Sequence, residues 1–452
     1  MEKKKFERPL INKINAGVPD KFGMKTRIRP VTHIDNLAVE ALTKEYGSPF
    51  FVISEKKIRN TFQEAKRAFS TRYPRVQFAW SYKTNYLNAV CNIFHQEGSW
   101  AEVVSGFEYE KALANGVEGK HIIFNGPGKS EADLEKAIDH ESLIHVDHFD
   151  ELYLIIRLVK KLEKKARIAI RVNMDTGIYP RWDRFGFNYE NGEAWSAINK
   201  IMPEELLELV GLHTHIGTYI MTPTAYALAA RKLSDLAVRI NHKYEHVISY
   251  LDLGGGFATK NTLKGAYLPG SDTCPSFDEY AEAITDALNN SDIRHDQMPL
   301  LILETGRALI DEAGYLVSTV LANKRLADGR RAMVIDAGVN LLFTSFWYEH
   351  NIAPAKQTPD FTENTTIYGP LCMNIDIIRE AVQFPPLDPG DNVVISRIGA
   401  YNMTQWMQFI TYRPSIIIIT KESSTEIIRK AEDHESMNQQ EHIPEHLKDF
   451  TL

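Results

Sequence analysis

A few groups of residues in this sequence carry side chains able to do chemistry, and each follows a short apolar run. Lys83 stands in AWSYKTN, just after QFAWS (77–81). Burial among apolar neighbours lowers a lysine pKa and leaves a neutral amine that can form a Schiff base with an aldehyde. Taken alone, a lysine there is more often a solvated surface charge. His213 and His215, in HTHIGT, are two residues apart and would share one face of a strand. The pair could bind a metal, or one imidazole could stack on a flat cofactor ring, with Gly217 and Thr218 adding a backbone N–H and a hydroxyl. A core histidine bonded to a neighbouring strand is an equally good reading at this point. Gly254, Gly255 and Gly256 end LDLGGG and would let the backbone approach an oxyanion with successive N–H groups, although a tight turn explains three glycines as well. LILETGR then supplies Glu304 and Arg307, and an arginine beside a glycine nest is a natural phosphate clamp. A surface Glu–Arg pair would contribute little and would not need this placement.

The runs that must position these residues are QFAWS (77–81), AEVV (101–104), HIIFN (121–125), LIHV (143–146), RIAIRV (167–172), ELVGLH (208–213), ISYLDL (248–253) and PLLILE (299–304). Between them lie helix-like stretches such as 130–139, 147–165 and 223–244, with apolar residues three or four apart and lysines opposite. Buried strands alternating with helices predict a (β/α)₈ TIM barrel, with an open doubly wound sheet as the alternative. A barrel gathers reactive side chains at the C-terminal ends of its strands and often holds phosphate after strands seven and eight. Beyond about residue 310 the runs lengthen and become β-branched (YLVSTVLANKRL, RAMVIDAGV, DNVVISRIGA, FITYRPSIIIIT), which predicts an antiparallel, barrel-like β-rich domain. The expected division is an N-terminal extension (1–24), a β-rich domain (25–50 plus 310–420), the barrel (51–309) and a charged tail or peripheral helix (421–452).

A chain of 452 residues is long enough for two cores. Its net charge of −7 does not favour a polyanion-binding surface, so no nucleic-acid partner is expected. No apolar run reaches the roughly 20 residues a spanning helix needs, and no apolar segment follows the basic start. Cys91, Cys274 and Cys372 are too scattered for a disulfide framework or a zinc knuckle. A cytoplasmic protein without a membrane partner is expected.

In chain order the sequence shows YKTN with Lys83, AEVVSGFE with Ser105, Gly106 and Glu108, GLHTHIGT, LDLGGGF, ETGR, IDAGVN, GPLCMNID with Cys372, and GAY with Tyr401. Together these motifs resemble the barrel-type (fold type III) pyridoxal-5′-phosphate (PLP) amino-acid decarboxylases, which include the diaminopimelate, ornithine and arginine enzymes. The resemblance covers nearly all of residues 45–415. It implies that Lys83 holds PLP as a Schiff base and that His215 stacks on the pyridine ring. Thr218, Gly254, Gly255, Gly256, Arg307 and Tyr401 would bind the phosphate. Glu304 would keep the ring nitrogen protonated, making the ring a strong electron sink for the charge left when CO₂ departs. Cys372 would come from the second subunit of a homodimer with shared sites and guide the proton that ends the reaction; a buried inert thiol is the bland reading.

Three departures from the family pattern bear on the substrate. Thr305 replaces the proline of the usual EPGR, a change of loop stiffness alone. Met373 stands where an acidic residue usually receives the distal amine, and Thr344-Ser345 stands where an Arg-Pro usually meets the distal carboxylate. With Phe346 and Trp347 they suggest a roomier, less charged pocket, for which Tyr348, Glu349, His350, Arg181 and Asp183 are the nearest polar candidates. The sequence therefore leads us to expect a substrate other than diaminopimelate: a conjugated or carrier-tethered amino acid of specialised metabolism, or another free diamino acid of lysine or ornithine type. A metal-dependent barrel hydrolase using His213 and His215, and a non-catalytic regulator on the same fold, are the remaining alternatives.

Overall fold

The structure is a computed structural model that describes residues 28–448. The expected extension, 1–24, lies outside the described residues. Strand β1 (Phe50–Ser54) is wholly buried and joins the β-rich sheet. Ser54 caps helix α1 (Glu55–Ser70) by accepting from the Lys57 N–H, and the helix carries the chain into the barrel.

The barrel strands are β2 (Val76–Ser81), β3 (Trp100–Val103), β4 (Ile122–Phe124), β5 (Leu143–Val146), β6 (Ala166–Asn173), β7 (Leu207–His213), β8 (Tyr250–Asp252) and β9 (Leu300–Leu303). Each pairs in parallel with the next. β9 pairs with β2, which closes the ring and excludes the open sheet. Helices cover the outside and side chains fill the inside, which is why the runs are apolar on both faces.

Period-two alternation sorts the barrel interior into layers. Ala79, Ile123, Leu143, Ala169, Tyr250 and Ile302 form one apolar cluster. Gly211 belongs to the same level, because a Cβ there would lie 2.2 Å from the Tyr250 ring. Two residues further along each of the eight strands, the inward position turns polar: Ser81, Glu102, Asn125, His145, Arg171, His213, Asp252 and Glu304. That polar ring is the floor of the barrel mouth.

The second domain contains β10 (Gly314–Arg325), β11 (Arg331–Ile335), β12 (Asn351–Pro354), β13 (Glu363–Tyr368), β14 (Ile377–Phe384), β15 (Asn392–Ser396), β16 (Ile416–Ile419) and β17 (Thr425–Arg429). Most pairings are antiparallel, but β1 pairs in parallel with β16 and β11 with β13. Long connections permit these parallel contacts: β1 and β16 are separated by the whole barrel, and a crossover joins β11 to β13. β1 straddles the boundary drawn from sequence between the β-rich segment (25–50) and the barrel (51–309), and all of it belongs to this sheet. The segment 421–452, read as a tail or peripheral helix, opens instead with the edge strand β17 on β16, followed by a short helix, His434–Asn438. Among the described residues no helix is long and apolar enough to cross a membrane.

Candidate active site

A cavity of about 380 Å³ opens at the C-terminal mouth of the barrel, within the size range usual for small-ligand sites. Lys83 enters it from a single 3₁₀ turn, Tyr82–Thr84, directly after β2. Its Nζ donates to both oxygens of Glu102, at 2.8 and 2.6 Å. Glu102 is fully buried and also accepts from Ser81 Oγ at 2.5 Å and Asn125 Nδ2 at 3.1 Å. Burial opposes the lysine's charge, but the Glu102 and Glu304 carboxylates outweigh it and raise the Lys83 pKa. The sequence reading expected the opposite, an amine made neutral by apolar surroundings. Its neighbour across the barrel, out of sight in a linear reading, reverses the sign.

Glu304 lies opposite on the floor, 4% exposed. Its Oε1 accepts from Asn125 Nδ2 at 2.5 Å, and its Oε2 is 3.4 Å from His213 Nε2. The His145 ring lies tilted against His213, centres 4.6 Å apart, and bonds the Tyr250 hydroxyl at 2.9 Å. Burial, and then surrounding charges, hold both imidazoles well below the usual histidine range, so they are neutral. Burial and the Glu304 charge push Asp252 well above the carboxylate range. His145, His213, Asp252 and Glu304 have ligand-type atoms within 4.8 Å of one another. His215 does not join that set, so the hydrolase alternative built on His213 with His215 does not match the geometry.

The loop after β7 carries His215 to the cavity wall, where its Nδ1 accepts from the Gly255 N–H at 3.0 Å. The three glycines are held by close contacts: a Cβ on Gly255 would lie 2.5 Å from the Glu304 carbonyl oxygen, and one on Gly256 2.3 Å from that of Gly217. Gly254 and Gly256 also have φ of +65° and +99°. The Gly254 N–H donates to Asp252 and the Gly255 N–H to His215. The N–H of Gly256 alone has no partner among the described residues, so one amide, rather than three in succession, remains for an anion. Arg307 reaches the same place, its Nη2 donating to Thr218 Oγ1 at 3.1 Å, its Nη1 to the Tyr348 hydroxyl, and its guanidinium 4.6 Å from the centre of the Tyr401 ring. Tyr401 comes from the β-rich domain at φ +63°, with its N–H donating to the Thr84 carbonyl at 2.9 Å. A buried guanidinium, a hydroxyl and a glycine cradle beside a lysine amine and a buried carboxylate are the donor set that PLP requires.

Sequence reasoning missed Glu102, Asn125 and Arg171, which line the cavity, and His145 and Asp252 beneath it. A signal for them existed: each lies two residues after an apolar position facing the barrel interior. Trp182 and Phe185, on the loop after β6, complete one wall. Ser105, Gly106 and Glu108 build a helix cap, with Ser105 accepting from the Glu108 N–H and Glu108 from that of Val104.

The expected substrate contacts lie elsewhere within their own chain. Arg181 pairs with Asp183 at 3.2 Å on the rim, and Glu349 with Arg379 at 3.4 Å. Tyr348 is bound to Arg307, behind the glycine cradle. Thr344 is fully buried, donating to Asn402 Oδ1 at 2.8 Å and lying 3.0 Å from His350 Nε2. Met373 is half-buried against the main core, and Cys372 beside it is exposed on a loop that Asp376 staples by accepting from the Val339 and Leu371 N–H groups.

Comparison with known proteins overturns the expectation that diaminopimelate is excluded. The chain is 29% identical over 420 residues to diaminopimelate decarboxylase of Methanothermobacter thermautotrophicus, covering 91% of this chain and 95% of that one. It is 28% identical over 411 residues to the Aquifex aeolicus enzyme of the same name, covering 89% and 93%. It superposes on the crystal structure of diaminopimelate decarboxylase from M. jannaschii in co-complex with L-lysine with a TM-score of 0.84, at 27% identity, covering 93% and 98%. The conjugated or carrier-tethered substrate therefore does not stand. It rested in part on Thr344 as a pocket wall, and Thr344 is buried inside its own chain on Asn402 rather than in the cavity. Residues 55–311, more than half the chain, match the family described as pyridoxal-dependent decarboxylase, pyridoxal binding domain, and the chain belongs to that family.

Proposed function

We propose that the chain removes the α-carboxyl group of a free diamino acid, with diaminopimelate the foremost candidate, as a cytoplasmic homodimer. The observation that carries the chemistry is the meeting of Lys83, Glu102 and Glu304 in one cavity with the Arg307 and glycine cradle at its side. The relatives named diaminopimelate decarboxylase, similar over about nine-tenths of the chain, direct the choice of substrate.

When bound, PLP would supply an electron-accepting ring for the electron pair released as CO₂ leaves. The protein's own residues do the rest. Lys83 would hold the cofactor's aldehyde as a Schiff base, with loss of water, and Glu102 pairs with the lysine and fixes its position. Glu304 would face the ring nitrogen and hold a proton there, against a floor of neutral imidazoles and Asp252. Arg307, Thr218, Tyr401 and the Gly256 N–H hold the phosphate, while the Gly255 N–H fixes the His215 ring at the cavity wall. Cys372 of the partner subunit completes the mouth and guides a proton to the carbon that has lost its carboxyl group. Its exposure, outside the cavity of its own chain, supports that assignment.

Carbon dioxide release from meso-diaminopimelate, lysine and ornithine tests the substrate, and borohydride fixation of PLP tests the lysine. Diaminopimelate should be turned over best and the fixed PLP should lie on the Lys83 peptide. Faster turnover of ornithine or lysine would overturn the substrate, and fixation elsewhere would overturn the role of Lys83.

A further inference from the structure

Asn125 lies just past the end of β4, 4% exposed, on the cavity floor between the two carboxylates. Its single amide nitrogen donates to Glu304 Oε1 at 2.5 Å and to Glu102 Oε1 at 3.1 Å. The amide cannot be turned round, because its oxygen would then face two carboxylate oxygens. Its Oδ1 has no partner among the described residues, so the side chain is held by its nitrogen alone. Glu102 in turn holds Lys83, and Glu304 lies across the floor. One amide thus joins the lysine end of the site to the ring-nitrogen end.

We infer that Asn125 is a positioning residue that holds Glu102 and Glu304 in register, so that the Lys83 amine and the ring-nitrogen carboxylate are set by one shared hydrogen-bond donor. The inference rests on the PLP-dependent reading above. Two acids on one floor repel, and a shared donor offsets that repulsion at both. The other charged groups facing the pair are Lys83 and Arg171 at the cavity wall. Asp252 and the neutral His145 and His213 lie around Glu304, Glu108 lies near Glu102, and Tyr401 lies near Lys83. All of these stay in place when only residue 125 is changed.

A hydrogen-bond donor favours the charged form of the carboxylates it meets, so loss of the shared donor is read in the pH dependence of function. Losing a hydrogen bond to a charged group should move the acid limit of function upward by about one pH unit, or about 1.4 kcal/mol. The test uses Asn125→Leu, which roughly keeps the volume without the donor, and Asn125→Ala, which removes both. Two quantities are followed against pH: PLP affinity of the cofactor-free protein and kcat/KM of the loaded enzyme. Both variants should show the upward shift in both quantities, and the shift should shrink when Glu304→Gln is also present. An acid limit unmoved in folded, PLP-binding Asn125→Leu would overturn the inference, as would a shift confined to Asn125→Ala, which would mark a packing role. If borohydride fixes no PLP at Lys83 in the wild-type protein, the cofactor reading fails and this inference with it. A wild type that passes beside unmoved variants overturns only the role of Asn125.

Discussion

Glu304→Gln isolates the electrostatic part of the proposed mechanism, because the substitution preserves shape and removes charge. The Glu304 oxygens meet the Asn125 amide at 2.5 Å and His213 Nε2 at 3.4 Å, and the side chain is 4% exposed. A glutamine can still accept from Asn125, so the floor should keep its packing. Lost is the carboxylate proposed to face the ring nitrogen, which lies in one cluster with Asp252, His145 and His213. At an effective dielectric of about 20, two unit charges about 4 Å apart interact by about 4 kcal/mol. Part of that acts before reaction as well as during it and cancels. The part that grows as the electron pair moves toward the ring, about 3 kcal/mol, sets the rate effect, on the order of a hundredfold in kcat. The assay is CO₂ release from diaminopimelate at saturating PLP, with borohydride fixation at Lys83 as the control for an intact site. Turnover within about threefold of wild type, with fixation unchanged, would show that the charge of Glu304 is not what the reaction uses.

Lys83→Ala and Cys372→Ala should each be inactive, yet regain up to about a quarter of wild-type activity when mixed, since random pairing makes half the dimers mixed with one intact site of two. Persistent inactivity despite proven subunit exchange would make Cys372 structural. His350 is fully buried, and burial, followed by Arg379 and Lys264, lowers its pKa to about 3. Between pH 6.5 and 3 the unfolded chain binds a proton that the folded one does not, so stability falls as pH falls, by about 2 kcal/mol at pH 5. His350→Gln should therefore lose less melting temperature than wild type between pH 7 and pH 5, and an unchanged difference would refute the assignment. Gly211→Ala, which would place a Cβ 2.2 Å from the Tyr250 ring, should cost about 1–3 kcal/mol in denaturant unfolding. A neutral result would mean that the Tyr250 ring is free to shift.

The barrel was legible because each strand is buried on both faces and each helix on one, and these two periods are local properties of a sequence. Lys83, His215, Arg307 and the three glycines could be singled out for a related reason, since each follows an apolar run and so falls at a strand end. The reading failed where a property belongs to a pair of distant residues. Lys83 could not be read as charged without Glu102 beside it, and Asn125 looked like the end of a run until closure of the barrel brought it between Glu102 and Glu304. The boundary drawn at residue 50 cut through β1, because burial alone does not say which sheet a strand joins; pairing with β10 and β16 decides that. The substrate argument failed similarly. Met373 and Thr344 were treated as pocket walls from their order in the chain, but Thr344 is spent on Asn402 and His350 inside the β-rich domain. Sequence alone determined which residues are buried, which strand ends carry chemistry and which turns need glycine, because those depend on a few neighbouring positions. The charge of the lysine and the company of each carboxylate were decided only by tertiary structure, because electrostatic interactions depend on distance in space rather than on separation along the chain.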